Sequence, residues 1–163
     1  MKKVFKFSVL VFISAALITV TSCSKDDDDD PTPAPPTEKS KLINRDFAIT
    51  DYLVTLNGEV FQTFANLASC DKDDITKFLD DNSGIFDEGN TKCDPGDPQQ
   101  TAFNWSFQSN DEKLKIESSG ESTVYDIKIN NGTTLKLEYS QVDDLNGDGQ
   151  NDVVVASYTF TKQ

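Results

Sequence analysis

The sequence predicts an all-β fold, and three observations predict it. Apolar residues alternate with period two from about Arg45 onward, aromatic triplets fall on single strand faces, and turn signals recur at short intervals. Phe103-x-Trp105-x-Phe107 places three aromatics on one face. Tyr125-x-Ile127-x-Ile129 and Leu135-x-Leu137-x-Tyr139 do the same, joined by Asn131-Gly132, a two-residue hairpin signal. Val154-x-Ala156-x-Tyr158-x-Phe160 lies near the end of the chain. Phe47 to Leu56, Ile75 to Leu79, Gly84 to Glu88 and Leu114 to Glu117 read as further strands. That makes about eight, at the spacing of an antiparallel sandwich or barrel. Ala65 to Leu67 and Asp73 to Phe78 are the two places where a helical turn competes.

Composition excludes several functions. The chain has 163 residues, 36% apolar and 26% charged, which fits one domain of ordinary size. It contains no histidine, so Ser-His-Asp and Cys-His catalysis and imidazole metal sites are ruled out. A formal net charge of −13 repels phosphates and argues against nucleic-acid binding. There is no Gly-x-Ser-x-Gly elbow and no phosphate-cradling glycine loop. With 28 carboxylates, no acid/base couple can be singled out, and the expected role is not enzymatic.

The first segment reads as an address. Lys2, Lys3 and Lys6 precede the apolar run Phe7 to Val20, which is shorter than the ~20 residues of a spanning helix and suits a signal peptide. Val20-Thr21-Ser22-Cys23 resembles a bacterial lipobox. The resemblance implies that residues 1–22 are removed and that Cys23 carries a diacylglyceryl group and a further acyl chain such as palmitate, enough for stable anchoring. The alternative is an ordinary secretory signal with a chance cysteine. Losing residues 1–22 removes three lysines and no acid, taking the formal charge from −13 to −16. Residues 23–44 read as an acidic and proline-rich disordered tether. Within it, Ser24-Lys25 and the run Asp26 to Asp30 form either a solvated spacer or, by resemblance, the surface-export signal of Bacteroidota lipoproteins. Pro31 to Pro36 is a stiff polyproline-type spacer. The expected location is the outer membrane, lipid-anchored and facing the cell exterior.

Cys70 and Cys93 remain after lipidation. An oxidising envelope favours a disulfide between them, with a structural metal site or two free thiols as alternatives.

The order of motifs is familiar. Cys70-Asp71-Lys72-Asp73-Asp74-Ile75, Phe78, Glu88-Gly89, Lys92-Cys93-Asp94, Trp105-Ser106-Phe107 and Tyr125-Asp126-Ile127 resemble the lipocalin-like domain of Bacteroidota lipoproteins. The resemblance runs from about Leu42 to the C-terminus. It implies an up-and-down antiparallel lipocalin-like barrel over residues 45–163 and an envelope or extracellular role, with no shared activity or ligand. Asn44-Arg45-Asp46-Phe47 stands where such domains often carry Gly-x-Trp.

Two groups of residues are candidates for a site. Phe103, Trp105, Phe107, Tyr125, Tyr139 and Tyr158 are either core or the lining of a barrel cavity for one small ligand. Asp144-Leu145-Asn146-Gly147-Asp148-Gly149-Gln150-Asn151-Asp152 matches the first nine positions of an EF-hand-type loop. Asp144, Asn146, Asp148 and Asp152 would give side-chain oxygens and Gln150 a backbone carbonyl to one Ca2+. Val155 occupies the position of the usual bidentate glutamate and the flanks are strands, so the loop resembles the strand-flanked loops of extracellular repeat proteins; the other reading is a polar hairpin connection rich in turn formers. The expected function is a non-catalytic, membrane-anchored module that binds a small apolar ligand or a protein or glycan partner. The alternative is a calcium-stiffened structural, accessory or adhesin-like subunit with a filled barrel.

Overall fold

The computed structural model describes residues 34–144 and 149–163, so Cys23, Asn146 and Asp148 lie outside the described residues. Pro35–Gln163 forms one compact unit. A short helix, α1 (Glu38–Leu42), precedes nine strands: β1 (Asp46–Leu56), β2 (Glu59–Thr63), β3 (Ile75–Phe78), β4 (Ser83–Asp87), β5 (Gln100–Gln108), β6 (Lys113–Ser118), β7 (Glu121–Asn130), β8 (Thr134–Asp143) and β9 (Asp152–Lys162). From β3 to β9 each strand pairs with the next in antiparallel fashion, and β1 joins β3 to β9. The result is a closed eight-stranded up-and-down barrel, the lipocalin-like arrangement that the sequence predicts, with β2 appended.

The turns follow local chemistry. Asn57 and Gly58, at φ 52° and 86°, join β1 to β2 in the left-handed conformation that a tight two-residue hairpin needs. Asn57 also reaches sideways: its backbone N–H donates to Val153 O (2.8 Å), and its Oδ1 accepts from Val153 N (2.8 Å). Between β7 and β8, Asn131 Oδ1 accepts from the backbone of Thr133 (3.0 Å) and Thr134 (2.7 Å), which fixes the turn at the expected place.

One end of the barrel is plugged. Thr37 caps α1 by accepting from Ser40 N (3.1 Å), and Leu42 is fully buried. Leu42 packs into a core with Phe47, Phe78, Leu114 and Leu135. Each such side chain contributes about 1.5–3 kcal/mol on burial. Asn130, at the end of β7, donates to Glu38 O (2.9 Å) and so ties α1 to the barrel. The folded unit therefore begins earlier than the expected boundary at residue 45, because Leu42 supplies apolar surface that the barrel end buries.

One further expectation needs correction, one open alternative is decided, and one strand was unforeseen. Ile129 does not share the inner face with Tyr125 and Ile127. A bulge lies between Ile127 and Ile129, so Ile129 turns outward and is 40% exposed. Asp73 to Phe78 is a strand from Ile75 onward, while a 3-10 turn does form at Phe64–Asn66. β2 was not anticipated, because its apolar residues Val60 and Phe61 are adjacent and exposed rather than alternating.

The aromatic core is organised around Gly84. Gly84 pairs across strands with Phe103, and the Phe103 ring covers it so closely that a Cβ on residue 84 would lie 2.1 Å from Cζ. Phe103 stacks on Phe86 (centroids 4.3 Å) and meets Phe78 edge-on (5.4 Å). Phe78 in turn meets Trp105 (5.6 Å), whose Nε1 donates to Ser83 O (2.8 Å). A methyl group at residue 84 has no room unless the ring moves. Gly84→Ala should therefore lower stability by about 1–3 kcal/mol in urea unfolding. Adding Phe103→Leu should cost less in that background than in the wild type, and strict additivity of the two changes would count against the ring-on-glycine account.

Candidate functional site

The barrel is not filled along its length. A cavity of about 540 Å³ occupies the half away from α1. Its walls include Ile75, Phe86, Ile116, Leu137 and Phe160. Tyr52, Tyr125 and Tyr158 add amphipathic surface, and Asp71, Asp74, Asp87 and Glu88 form its rim.

Strand register explains why the tyrosines meet. Phe47 and Ile49 face inward on β1, and a bulge between Ile49 and Asp51 shifts the alternation by one residue. Tyr52 thus lands opposite Tyr158 of β9, with ring centroids 5.1 Å apart. Tyr125 lies 6.0 Å from Tyr158 and 6.2 Å from Tyr139. These are all four tyrosines of the chain. Burial, followed by the neighbouring Tyr52 and Tyr125, raises the Tyr158 hydroxyl above its ordinary range, and burial does the same to Tyr125. Both stay neutral, so the cluster offers hydroxyls and ring faces rather than charge.

The expected ligand-facing aromatics divide into two sets. Tyr125 and Tyr158 line the cavity, and Tyr139 lies outside the lining, against Tyr125. Phe103 and Trp105 are core, at 2% and 3% exposure, and Phe107 packs against them. Tyr52 and the rim acids were missed. The bulge hid Tyr52 from a period-two reading, and the acids resembled any solvated turn.

The rim stands on two connections, β2 to β3 and β4 to β5, and a disulfide joins them. Cys70 and Cys93 are bonded, with Cα atoms 5.2 Å apart. Closing that loop contributes about 3 kcal/mol on the chain-entropy account. Asp71 Oδ1 lies 3.2 Å from the Cys93 sulfur, but bonded sulfurs have no thiolate to offer a metal. Asp73 laces the same connections by accepting from Asn90 N (2.8 Å), Thr91 N (3.0 Å) and Thr91 Oγ1 (2.9 Å). Burial pushes the Asp73 carboxyl up, but these bonds outweigh it and hold the group below its ordinary value. Asp87 is likewise lowered, by Gln100 Nε2 (2.6 Å) and Gln99 Nε2 (2.9 Å).

Asp74 differs from these neighbours. Its Oδ1 is buried without a hydrogen-bond partner. Burial, then the charges of Glu88, Asp71, Asp73 and Asp87, raises its carboxyl from 3.8 to about 6.

In the acidic loop after β8, the described candidates already have roles. Asp144 Oδ2 accepts from Gly149 N (2.9 Å). Asp152 is buried, and its Oδ1 accepts from Asn57 Nδ2 (2.7 Å), which anchors the start of β9 to the β1–β2 turn. Gln150 is exposed.

No protein-family model, curated protein or solved structure matches the chain. The class defined by fold and site is a closed β-barrel with an apolar, tyrosine-lined cavity and an acidic rim.

The Asp74 shift fixes a sign. Below pH 3.8 the group is protonated in folded and unfolded chains alike. Between 3.8 and about 6 only the folded state keeps its proton, and above that the folded state carries a poorly solvated charge. Stability from this group is therefore full at low pH and lost as pH rises through about 6. Asp74→Asn should match the wild type in urea midpoint near pH 4 and exceed it near pH 7.5. An equal difference at both pH values would show that Asp74 does not titrate in this window.

Proposed function

We propose that the protein is a lipid-anchored, surface-exposed outer-membrane lipoprotein of the Bacteroidota type, acting as a non-catalytic module that binds a small, largely apolar ligand in its barrel. The observation that carries this reading is the cavity of about 540 Å³, walled by apolar and tyrosine side chains, in a barrel whose other end is packed around Leu42. Its size falls within the range of small-molecule sites, which are mostly apolar with a few placed polar groups. The lipobox-like Val20-Thr21-Ser22-Cys23 and the cysteine-to-tryptophan motif order support the anchor and the resemblance. The disulfide fits an oxidising envelope.

The alternative role as an interaction subunit is favoured by one separate feature. Val60 and Phe61 on β2 are 64% and 73% exposed, at a strand that ends the sheet order. Such an edge offers apolar contact and unpaired backbone to a macromolecular partner.

The anchor is tested by fractionation. Cys23→Ala should move the protein out of the membrane fraction, and retention there after a high-salt wash would overturn the lipoprotein reading. Calcium is proposed for the loop from Asp144 to Asp152 on its motif alone, at the weak end, about 10⁻⁴–10⁻³ M, since the bidentate glutamate is missing. Millimolar calcium should raise the melting temperature of the full chain more than millimolar magnesium does. Equal shifts would leave the loop as a turn.

A further inference from the structure

Resting on the reading of the barrel as a binding module, we propose that its ligand is an amphipathic cation. An apolar body sits among the barrel walls, and a primary ammonium group is held at the rim by Asp74 with Glu88. The proposal starts from the composition of the lining. Four carboxylates and no lysine or arginine are found among the described residues that line the cavity. The nearby lysines have direct partners elsewhere, and the charge of Lys77 also acts on Asp87 of the rim. Lys77 pairs with Asp46 (2.6 Å), Lys72 donates to Ala65 O (3.2 Å), and Lys92 donates to Asp97 O (2.5 Å).

The four acids are not equivalent. Asp87 is held by two glutamine side chains and by Gly89 N (3.1 Å), so it belongs to the rim's own scaffold. Asp71 lies against the disulfide. Asp74 alone combines a place in the lining with a buried oxygen that has no hydrogen-bond partner, and Glu88 is the first charge acting on it. A carboxylate oxygen shut away from water without a donor costs free energy that a charged donor recovers. An ammonium brings three N–H donors and cancels the repulsion around Asp74. A carboxylate-headed ligand such as a fatty acid would add a further negative charge there, and a neutral one would leave Asp74 as it is. Tyr125 and Tyr158, deeper in the barrel, carry no charge, so the preference for a cation resides at the rim and the apolar preference below it.

The test compares three probes of one chain length, octylammonium, octanol and octanoate, titrated calorimetrically into the full chain near pH 7.5. Octylammonium should bind about tenfold tighter than octanol, with octanoate weakest, and added salt should narrow the gap. Asp74→Asn should bring octylammonium to within about threefold of octanol and leave octanol itself unchanged. Octanol binding as tightly as octylammonium in the wild type would overturn the cation and leave the binding module standing. An ammonium preference that survives Asp74→Asn would overturn the assignment to Asp74. If none of the three binds, the binding-module reading falls as well. Ile116→Phe fills the cavity from β6 and should weaken all three probes together. Unchanged octanol binding in that variant would place the probe outside the barrel and overturn both readings.

Discussion

Closure of the sheet by β1 is the constraint on which the rest depends. β1 pairs with β9 from Phe47 to Leu56, while its other edge is shared. Asp46 to Ala48 pair with β3, and Leu53 to Leu56 pair with β2. The barrel is thus sealed on that side by three residue pairs near α1, and beyond them the wall is replaced by the connection that carries Leu67, Asp71 and Asp74. The cavity and its acidic rim occupy this gap. Had β3 continued along β1, the interior would close over apolar side chains and leave little room for a ligand.

The bulge at Ile49–Asp51 is the second half of the same device. One extra residue reverses the parity of β1, so Phe47 and Ile49 face inward before it and Tyr52 faces inward after it. The α1 half of the barrel is filled by Leu42, Phe47, Phe78 and Leu135. The other half receives tyrosines, whose rings cover apolar surface while their hydroxyls tolerate a wetter place. Close packing and open cavity are therefore separated along the barrel axis. The rim's mutual repulsion is countered covalently at Cys70–Cys93 and by the three hydrogen bonds to Asp73, rather than by neutralising the acids.

How much of this was legible in the sequence depended on whether a residue keeps step with its strand. Phe103, Trp105, Leu135, Leu137 and Tyr158 alternate without interruption, so their inner face and the strand order could be read directly. Ile129 and Tyr52 lie just past bulges, and a bulge is set by tertiary pairing that no local pattern reports. Asn57-Gly58 was a usable hairpin signal for β2, overlooked because Val60 and Phe61 break alternation on an exposed edge. α1 was obscured by the prolines before it, although Thr37 and the following Glu38 form an ordinary helix start. Asp74 could not be distinguished among so many carboxylates. Its character comes from burial and from neighbours Glu88 and Asp87, contributed by β4 and the residue that follows it.

Net charge by itself does not aim a protein at a cationic partner, but its distribution can. On the outer face the acids are interleaved with lysines: Lys113 and Lys128 both reach Asp126, Lys128 also reaches Glu138 (3.0 Å), and Lys115 reaches Glu117 (2.8 Å). Exposed pairs of this kind add little stability, yet they cancel the local field. At the rim, Asp71, Asp74, Asp87 and Glu88 face a cavity with low-dielectric apolar walls and no lysine in its described lining. Field lines concentrate in such a mouth, which on the proposed reading would enrich a positively charged ligand before any contact forms. On the proposed reading, the same excess charge that repels anionic lipid headgroups and phosphates becomes selective at a mouth whose described lining holds no lysine.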